Sequence, residues 1–319
     1  MKNYDVIIIG AGPAGLSAGL YSSRYNLKTL ILEKDEIGGR ANQIKDLETY
    51  PGVPKTNGAE LAKNMLNHAK QFGAEYLRLK PRSLKIVDNL KIIHTRKGDF
   101  SAKAIILATG MIPKKFNVPG EDEFTGMGVS YCATCDAEFY KDQIVCVIGS
   151  NNQAISEGLM ICQYAQKVIV ITRFPNLKCN SKLAEEAKSE DKMSFIFDST
   201  LEQINGEINV NSITIKHTAT NKSEKLKCDG VFLYGGMKPE TSLYQNLVKT
   251  DDEGYLHPND DMSVDDQGLF AAGDVRKRPL SQVLISASDG AVAAFGVQQY
   301  ISSLATNHTD ANSSASYKE

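Results

Sequence analysis

The hydrophobic pattern repeats one phrase twice. Asp5–Ile9 is a short apolar run followed by Gly10-Ala11-Gly12-Pro13-Ala14-Gly15, a helix-like stretch to about Tyr25, and a second apolar run, Thr29–Leu32, ending on Glu33. Ile144–Ile148 is followed in the same way by Gly149-Ser150-Asn151-Asn152-Gln153-Ala154, a helical stretch, and the run Lys167–Ile171. Runs this short, bounded by glycine turns and separated by one helix, predict strands of parallel β-loop-α-β units. Two such units predict an α/β chain with two Rossmann-like, three-layer domains of the nucleotide-binding type. Gly110-Met111-Ile112-Pro113-Lys114-Lys115 reads as an exit from the first domain, and Gly235-Gly236-Met237-Lys238-Pro239 as a return to it. The first domain is therefore expected to be discontinuous, with a smaller domain inserted. From about Ser302 the sequence turns to Ser, Asn, Thr and Ala, which predicts a mobile tail carrying one isolated aromatic, Tyr317.

Composition adds exclusions. The 319 residues are 42% hydrophobic and 23% charged, an ordinary globular balance with room for two cores. Thirty-six basic against 38 acidic residues give a net charge of -2, which does not suggest a nucleic-acid partner. No apolar run approaches membrane-spanning length and no signal core opens the chain, so a cytoplasmic protein with no membrane partner is expected. Six cysteines do not make a disulfide scaffold at this length.

The first glycine loop carries a specific expectation. Gly10 allows the tight turn, Gly12 lets backbone approach a pyrophosphate at the helix N-terminus, and Gly15 permits close helix–strand packing. Pro13 and Ala14 begin the helix, and Glu33 is placed to accept ribose hydroxyls. The loop by itself fits FAD or NAD.

Tyr131-Cys132-Ala133-Thr134-Cys135-Asp136 holds the sole C-x-x-C. Two intervening residues let the sulfurs close a small disulfide ring, and Asp136 could move the proton that thiol exchange needs. Cys146, Cys162, Cys179 and Cys228 contain no second close pair in sequence, so a four-thiolate zinc site has poor support and no metal is expected.

Together these motifs resemble the low-molecular-weight thioredoxin reductases. The likeness is carried by Gly10–Gly15 with Glu33, Gly38-Gly39, Glu48-Thr49-Tyr50-Pro51-Gly52, Ala108-Thr109-Gly110, Cys132-Ala133-Thr134-Cys135-Asp136 and Gly273-Asp274-Val275, and it covers the chain to about Leu304. The resemblance implies a homodimer with an FAD-binding domain (1–113 and 243–304), a dithiol-carrying domain of the NADPH type (114–242), and a tail (305–319). It implies FAD contacts from Gly10, Gly12, Pro13, Ala14, Gly15, Glu33, Gly39, Arg40, Ala108, Thr109, Gly110, Gly273, Asp274 and Gln282. Cys135 would receive electrons from the flavin, Cys132 would attack the disulfide of thioredoxin, and Asp136 would be the general acid.

The second loop departs from the family. Asn151 stands where the family has its second glycine, and the basic cluster for a 2′-phosphate is reduced to Arg173 in Ile171-Thr172-Arg173-Phe174-Pro175. Arg40 and Ser281, beside the retained Gln282, also differ from the usual flavin-side residues. The damaged nucleotide site resembles that of the ferredoxin-dependent flavin thioredoxin reductases and the related deep-branching reductases without NADPH motifs, which implies reduced ferredoxin as electron donor. An acidic ferredoxin would want a basic dock, for which Arg276-Lys277-Arg278 with Lys114 and Lys115 are candidates. The rival readings are an NADPH-dependent reductase with an atypical loop, a dithiol oxidase passing electrons through FAD to oxygen, and a flavin-bound scaffold. Tyr317 could stack on the flavin face that a nicotinamide would otherwise occupy.

Overall fold

The computed structural model describes residues 1–315, with side chains through Leu304. The chain divides into two units, Met1–Ile112 with everything from Lys238 onward, and Pro113–Met237. The return crossing thus falls at Met237–Lys238, and residues 238–242 belong to the first unit rather than to the inserted one.

The chain runs β1 (Lys2–Ile9), α1 (Pro13–Arg24), β2 (Thr29–Glu33), a 3-10 turn (Gly39–Gln43), α2 (Gly58–Gln71), β3 (Glu75–Arg78), β4 (Pro81–Val87), β5 (Leu90–Thr95), β6 (Gly98–Leu107) and the crossing strand β7 (Met111–Pro113). The inserted unit contains β8 (Val129–Ser130), α3 (Ala133–Asp136), β9 (Ile144–Ile148), α4 (Asn152–Cys162), β10 (Lys167–Ile171), α5 (Ser181–Ser189), β11 (Met193–Ile196), β12 (Ser199–Gly206), β13 (Val210–His217), β14 (Ser223–Lys227) and β15 (Gly230–Leu233). β16 (Met237–Pro239) brings the chain back to β17 (Leu269–Ala271) and α6 (Val283–Ala315).

In the first unit the sheet order is β3-β2-β1-β6-β5-β4, with β17 also paired to β6. Val6, Ile7 and Ile8 are wholly buried, alternating between two hydrophobic clusters, as expected of a parallel strand covered on both faces. β6 pairs with β1 along one side and shares its other side between two strands. Gly98–Ala102 pairs antiparallel with β5, and Ile105–Leu107 pairs parallel with β17. On one face α1 and α6 meet almost backbone to backbone, since a Cβ on Gly290 would lie 2.0 Å from the carbonyl oxygen of Ala14. α6 continues to Ala315, so the tail expected from Ser302 begins as helix. Tyr317 lies outside the described residues.

The second unit repeats the plan with five parallel strands, β11-β10-β9-β15-β8, and adds the antiparallel sheet β12-β13-β14. Ile213, Ile215 and Leu201 of the small sheet are buried with Cys146, Ile148 and Val231 of the parallel one. No described helix is long and apolar enough to cross a membrane.

Candidate active site

Register places the first unit's expected residues on one edge. Ile9 pairs with Leu32 and with Leu107, and Leu107 with Ala271. The carboxyl ends of β1, β2, β6 and β17 therefore stand side by side, and from them project Gly10–Gly15, Glu33, Ala108–Gly110 and Gly273–Asp274. That edge is where open α/β sheets bind ligands.

The three glycines differ in what surrounds them. Gly10 has φ +109°, and a Cβ there would sit 2.3 Å from the Ala108 carbonyl oxygen. A Cβ on Gly15 would lie 1.8 Å from the oxygen of Gly10, so the helix touches the strand. A Cβ on Gly12 would meet nothing nearer than 4.0 Å, and Gly39 lies against it, its own Cβ position 3.6 Å from the Gly12 Cα. The open space is thus in front of Gly12, at the start of α1, whose first position is Pro13. A side chain on either glycine would fill a cradle suited to a diphosphate. Glu33 is buried, accepting the Ala11 amide at 2.7 Å and the Asp35 amide at 2.9 Å, which ties the loop to β2 and leaves lone pairs for ribose hydroxyls.

Other expected residues play more indirect parts. The Thr109 hydroxyl is engaged with the Glu240 carbonyl at 2.6 Å and the Tyr244 hydroxyl at 2.7 Å, and so fastens the strand exit. Ala108 is buried and its amide donates to the Ile9 carbonyl. Gly110 takes φ +66°. Arg40 is exposed, with Nη1 3.5 Å from Asp274 Oδ2. Gln282 is exposed at the entry to α6. Asp274 Oδ1 accepts from Arg278 Nη2.

Of the expected basic dock, Arg276 and Arg278 are drawn into the fold, while Lys277, Lys114 and Lys115 stay exposed. Arg278 is 3% exposed and bonded to Asp274, Asp289 and Ser286; Arg276 pairs with Asp289, Lys277 with Glu253, and Lys115 with Asp122. These charges are spent inside the fold or on a neighbour, because acids hidden elsewhere in the sequence return to meet them. Lys114 remains exposed.

In the second unit Cys132 and Cys135 form a disulfide, their Cα atoms 5.4 Å apart. Cys132 caps α3 directly after β8, which puts the pair on the same carboxyl edge as the second glycine loop. Cys132 is half-buried and Cys135 exposed. Asp136 is not free in solvent. Ser130 donates to its Oδ2 at 2.6 Å, and the Ser130 oxygen accepts the Cys132 amide at 3.1 Å. One hydroxyl thus links the proton-carrying group to the backbone of the first cysteine.

Residues without a motif hold this segment. Glu157 of α4 accepts the Ala133 amide and the Tyr234 hydroxyl, both at 2.7 Å, so the dithiol helix is pinned to α4. Burial, then the Glu157 charge, pushes the Tyr234 phenol far up, which keeps it a donor. Burial and the Asp136 charge push Tyr140 up to about 12. Glu121, itself buried, accepts the Phe116 and Asn117 amides and the Tyr131 hydroxyl. Nothing local in sequence distinguishes Ser130, Glu157 or Glu121 from ordinary surface polar residues.

The structure also brings together two cysteines far apart in sequence. Cys146 and Cys228 are buried in one cluster, and contact with the Cys228 thiol together with burial pushes the Cys146 thiol well up, so the Cys146 sulfur stays a thiol. Burial, then the Glu190 charge, raises Cys162 to about 12.

The second loop is closed by its own side chains. Asn151 is the N-cap of α4 and accepts the Ala154 amide at 2.9 Å; Asn152 Oδ1 accepts the Asn180 amide, and Thr172 bonds Ser150. An amide that would face a phosphate is already satisfied. At the end of β10, however, Arg173 is not alone. Its guanidinium lies 4.9 Å and the Lys178 ammonium 5.1 Å from the Phe174 ring centre, so two cations gather where the sequence suggested one.

These features agree with what the chain is similar to. The pyridine nucleotide-disulphide oxidoreductase family profile matches residues 4–292. The chain belongs to this family. It is 40% identical over 304 residues to the thioredoxin reductase of Bacillus subtilis, covering 95% of this chain and 96% of that one. Among solved structures, Lactococcus lactis thioredoxin reductase in its FR conformation superposes with TM-score 0.83 at 34% identity, covering 94% and 99%. A ferredoxin-flavin thioredoxin reductase from Clostridium acetobutylicum superposes with TM-score 0.53 at 27% identity, covering 95% and 99%. Thioredoxin reductases of the family bind FAD, and FAD is the cofactor here. The cradle at Gly12 and Gly39 and the buried, unpartnered Nε of Arg278 fit such a group.

Proposed function

We propose that this protein reduces the disulfide of thioredoxin through Cys132 and Cys135, with electrons that reach FAD from reduced ferredoxin. The disulfide on a short helix, backed by the Ser130–Asp136 pair, is the observation that carries the reductase reading. Gly10, Gly12, Pro13, Ala14, Gly15, Glu33, Gly39, Arg40, Ala108, Thr109, Gly110, Gly273, Asp274 and Gln282 would hold FAD, which when bound supplies the electron pair that opens the Cys132–Cys135 disulfide.

The chain's own chemistry then follows thiol–disulfide exchange. The Cys132 thiolate attacks one sulfur of the thioredoxin disulfide; that S–S bond breaks, a mixed disulfide forms, and the departing sulfur takes a proton. The Cys135 thiolate attacks the Cys132 sulfur, restores the internal disulfide and releases the second thioredoxin thiol. Two electrons and two protons have moved to thioredoxin. Asp136, held by Ser130 beside the Cys132 amide, is positioned to pass the proton. Glu157 keeps the cysteines in register by holding Ala133.

The donor assignment is supported by Asn151, whose side chain blocks the approach a pyrophosphate needs. Arg173 and Lys178 favour a second reading, an NADPH-dependent reductase with an atypical loop. A homodimer is proposed from the same resemblance. It is supported by a groove lined by Leu16, Tyr21, Tyr50, Met65 and Leu284, in which Tyr21 and Leu284 expose apolar surface. Anaerobic mixing of the oxidised holoenzyme with reduced ferredoxin or NADPH, followed by flavin absorbance, tests the donor. Bleaching by ferredoxin and none by NADPH is expected; rapid bleaching by NADPH overturns the ferredoxin assignment. Loss of thioredoxin reduction in Cys132→Ser and Cys135→Ser tests the dithiol, and retained activity in either would refute its role.

A further inference from the structure

Beneath the Gly273–Asp274 turn runs a line of four charged side chains. Arg276 Nη1 donates to Asp289 Oδ1 at 2.9 Å, Arg278 Nη1 donates to Asp289 Oδ2 at 3.0 Å, and Arg278 Nη2 donates to Asp274 Oδ1 and to Ser286 Oγ. Asp289 also accepts the Gly273 amide at 3.1 Å. The Arg278 and Asp289 side chains are 3% and 7% exposed. The turn they support presses on the first turn of α1, because a Cβ on Gly273 would lie 2.9 Å from the Ala14 Cβ.

Stability alone does not explain this cluster. Buried ion networks commonly contribute no more than apolar residues of the same volume. Here, moreover, the Nε atoms of both arginines are buried without a partner, a cost that a bound group could remove. The placement does have a reason in electrostatics. A carboxylate on the sheet edge that receives a diphosphate repels it. A guanidinium, which does not lose its proton in proteins, cancels that charge and fixes one carboxylate oxygen, leaving the other to accept a hydroxyl. Two arginines and two aspartates balance, and Arg40, 3.5 Å from Asp274 Oδ2, leaves an excess positive charge at this edge.

We propose that Arg278 is a positioning residue for FAD: held by Asp289, it orients and neutralises Asp274 so that this acid accepts from the cofactor without repelling its phosphates. The inference rests on assigning Asp274 to the FAD site. The test is reconstitution of FAD-stripped full-length protein, with affinity read from quenching of flavin fluorescence and the melting temperature of the apoprotein measured alongside. Asp274→Asn and Arg278→Met should each weaken FAD binding by about tenfold or more, and the double variant by no more than the worse single one, because the two act as a unit. Arg278→Lys should recover part of the affinity by restoring the charge. If Arg278→Met does not fold, Arg278→Lys and Asp289→Asn give the same reading. An apoprotein melting shift in the Arg278 variants with FAD affinity within about twofold of the parent would make the cluster merely structural and overturn the proposal. Unchanged affinity in Asp274→Asn would instead overturn the assignment on which it rests. Fully additive losses would show that Arg278 acts other than through Asp274, and would also overturn it.

Discussion

Substituting alanine at Gly12 and at Gly15 should separate two functions of one loop. At Gly12 the new methyl group points into open space, with its nearest neighbour at 4.0 Å, and the residue's φ of -74° is ordinary for alanine. The cost to the apoprotein is that of a poorer N-cap, about 1 kcal/mol or less. The same methyl occupies the cradle a diphosphate would enter, so FAD affinity should fall at least tenfold, or about 1.4 kcal/mol. At Gly15 the methyl carbon would lie 1.8 Å from the Gly10 oxygen, well inside contact distance and against backbone that cannot rotate away. Helix α1 must then lift from β1, at a cost of about 3 kcal/mol or more. Calorimetry of the two apoproteins, paired with fluorescence titration of FAD, reads both effects. Gly12→Ala should melt near the parent and bind FAD poorly, whereas Gly15→Ala should melt far lower. Parent-like FAD binding by Gly12→Ala, or a parent-like apoprotein melt for Gly15→Ala, would refute the reasoning.

Asn151→Gly costs α4 only a few tenths of a kcal/mol as a cap while uncovering the Ala154 amide; measurable NADPH binding by equilibrium dialysis is expected to appear or strengthen, and an unchanged result would show that the loop is closed by something other than this side chain. Tyr234→Phe removes a donor from Glu157 and should cost about 1–2 kcal/mol in denaturant unfolding of the protein, together with slower reduction of thioredoxin; no change in either would mean that Glu157 does not need it. Lys91 is buried, and desolvation lowers its amine to about 8. Because the unfolded chain then holds a proton that the folded one gives up, stability should rise as pH climbs from about 8 towards 10, by up to about 3 kcal/mol. Lys91→Met should abolish that rise in a series of chemical melts, and its persistence would exclude Lys91 as the source.

The two β-loop-α-β phrases were legible because period and punctuation agree, with apolar runs of strand length, glycines and then a helix. Ile9, Leu32, Leu107 and Ala271 were not visibly neighbours, because register is set by pairing between distant segments. The glycine roles at 10, 12 and 15 were readable as sterics, and the structure gives Gly10 and Gly15 their close contacts and Gly12 its open space. Arg276–Arg278 looked like a free basic run because Asp289 meets it only once α6 packs against the turn. Glu157 and Ser130 were hidden for a similar reason. Glu157 is an unremarkable polar residue until the Ala133 amide is brought to it, and Ser130 until the turn into α3 folds the Cys132 amide and Asp136 onto its hydroxyl. Lys178 escaped notice as a companion of Arg173 because it joins through the shared face of Phe174 rather than through sequence spacing. The helical start of the expected tail reflects continuation of α6 beyond the apolar stretch that packs on α1.

Helix α4 has two duties. Its first residue lies behind the Asn151 cap, and about a turn and a half further on Glu157 grips the backbone between the two redox cysteines. Whether or not the loop holds a dinucleotide, the helix behind it is required, since without it the dithiol would be cast loose. One scaffold element thus bears two loads, and a change at either end of α4 is felt at the other.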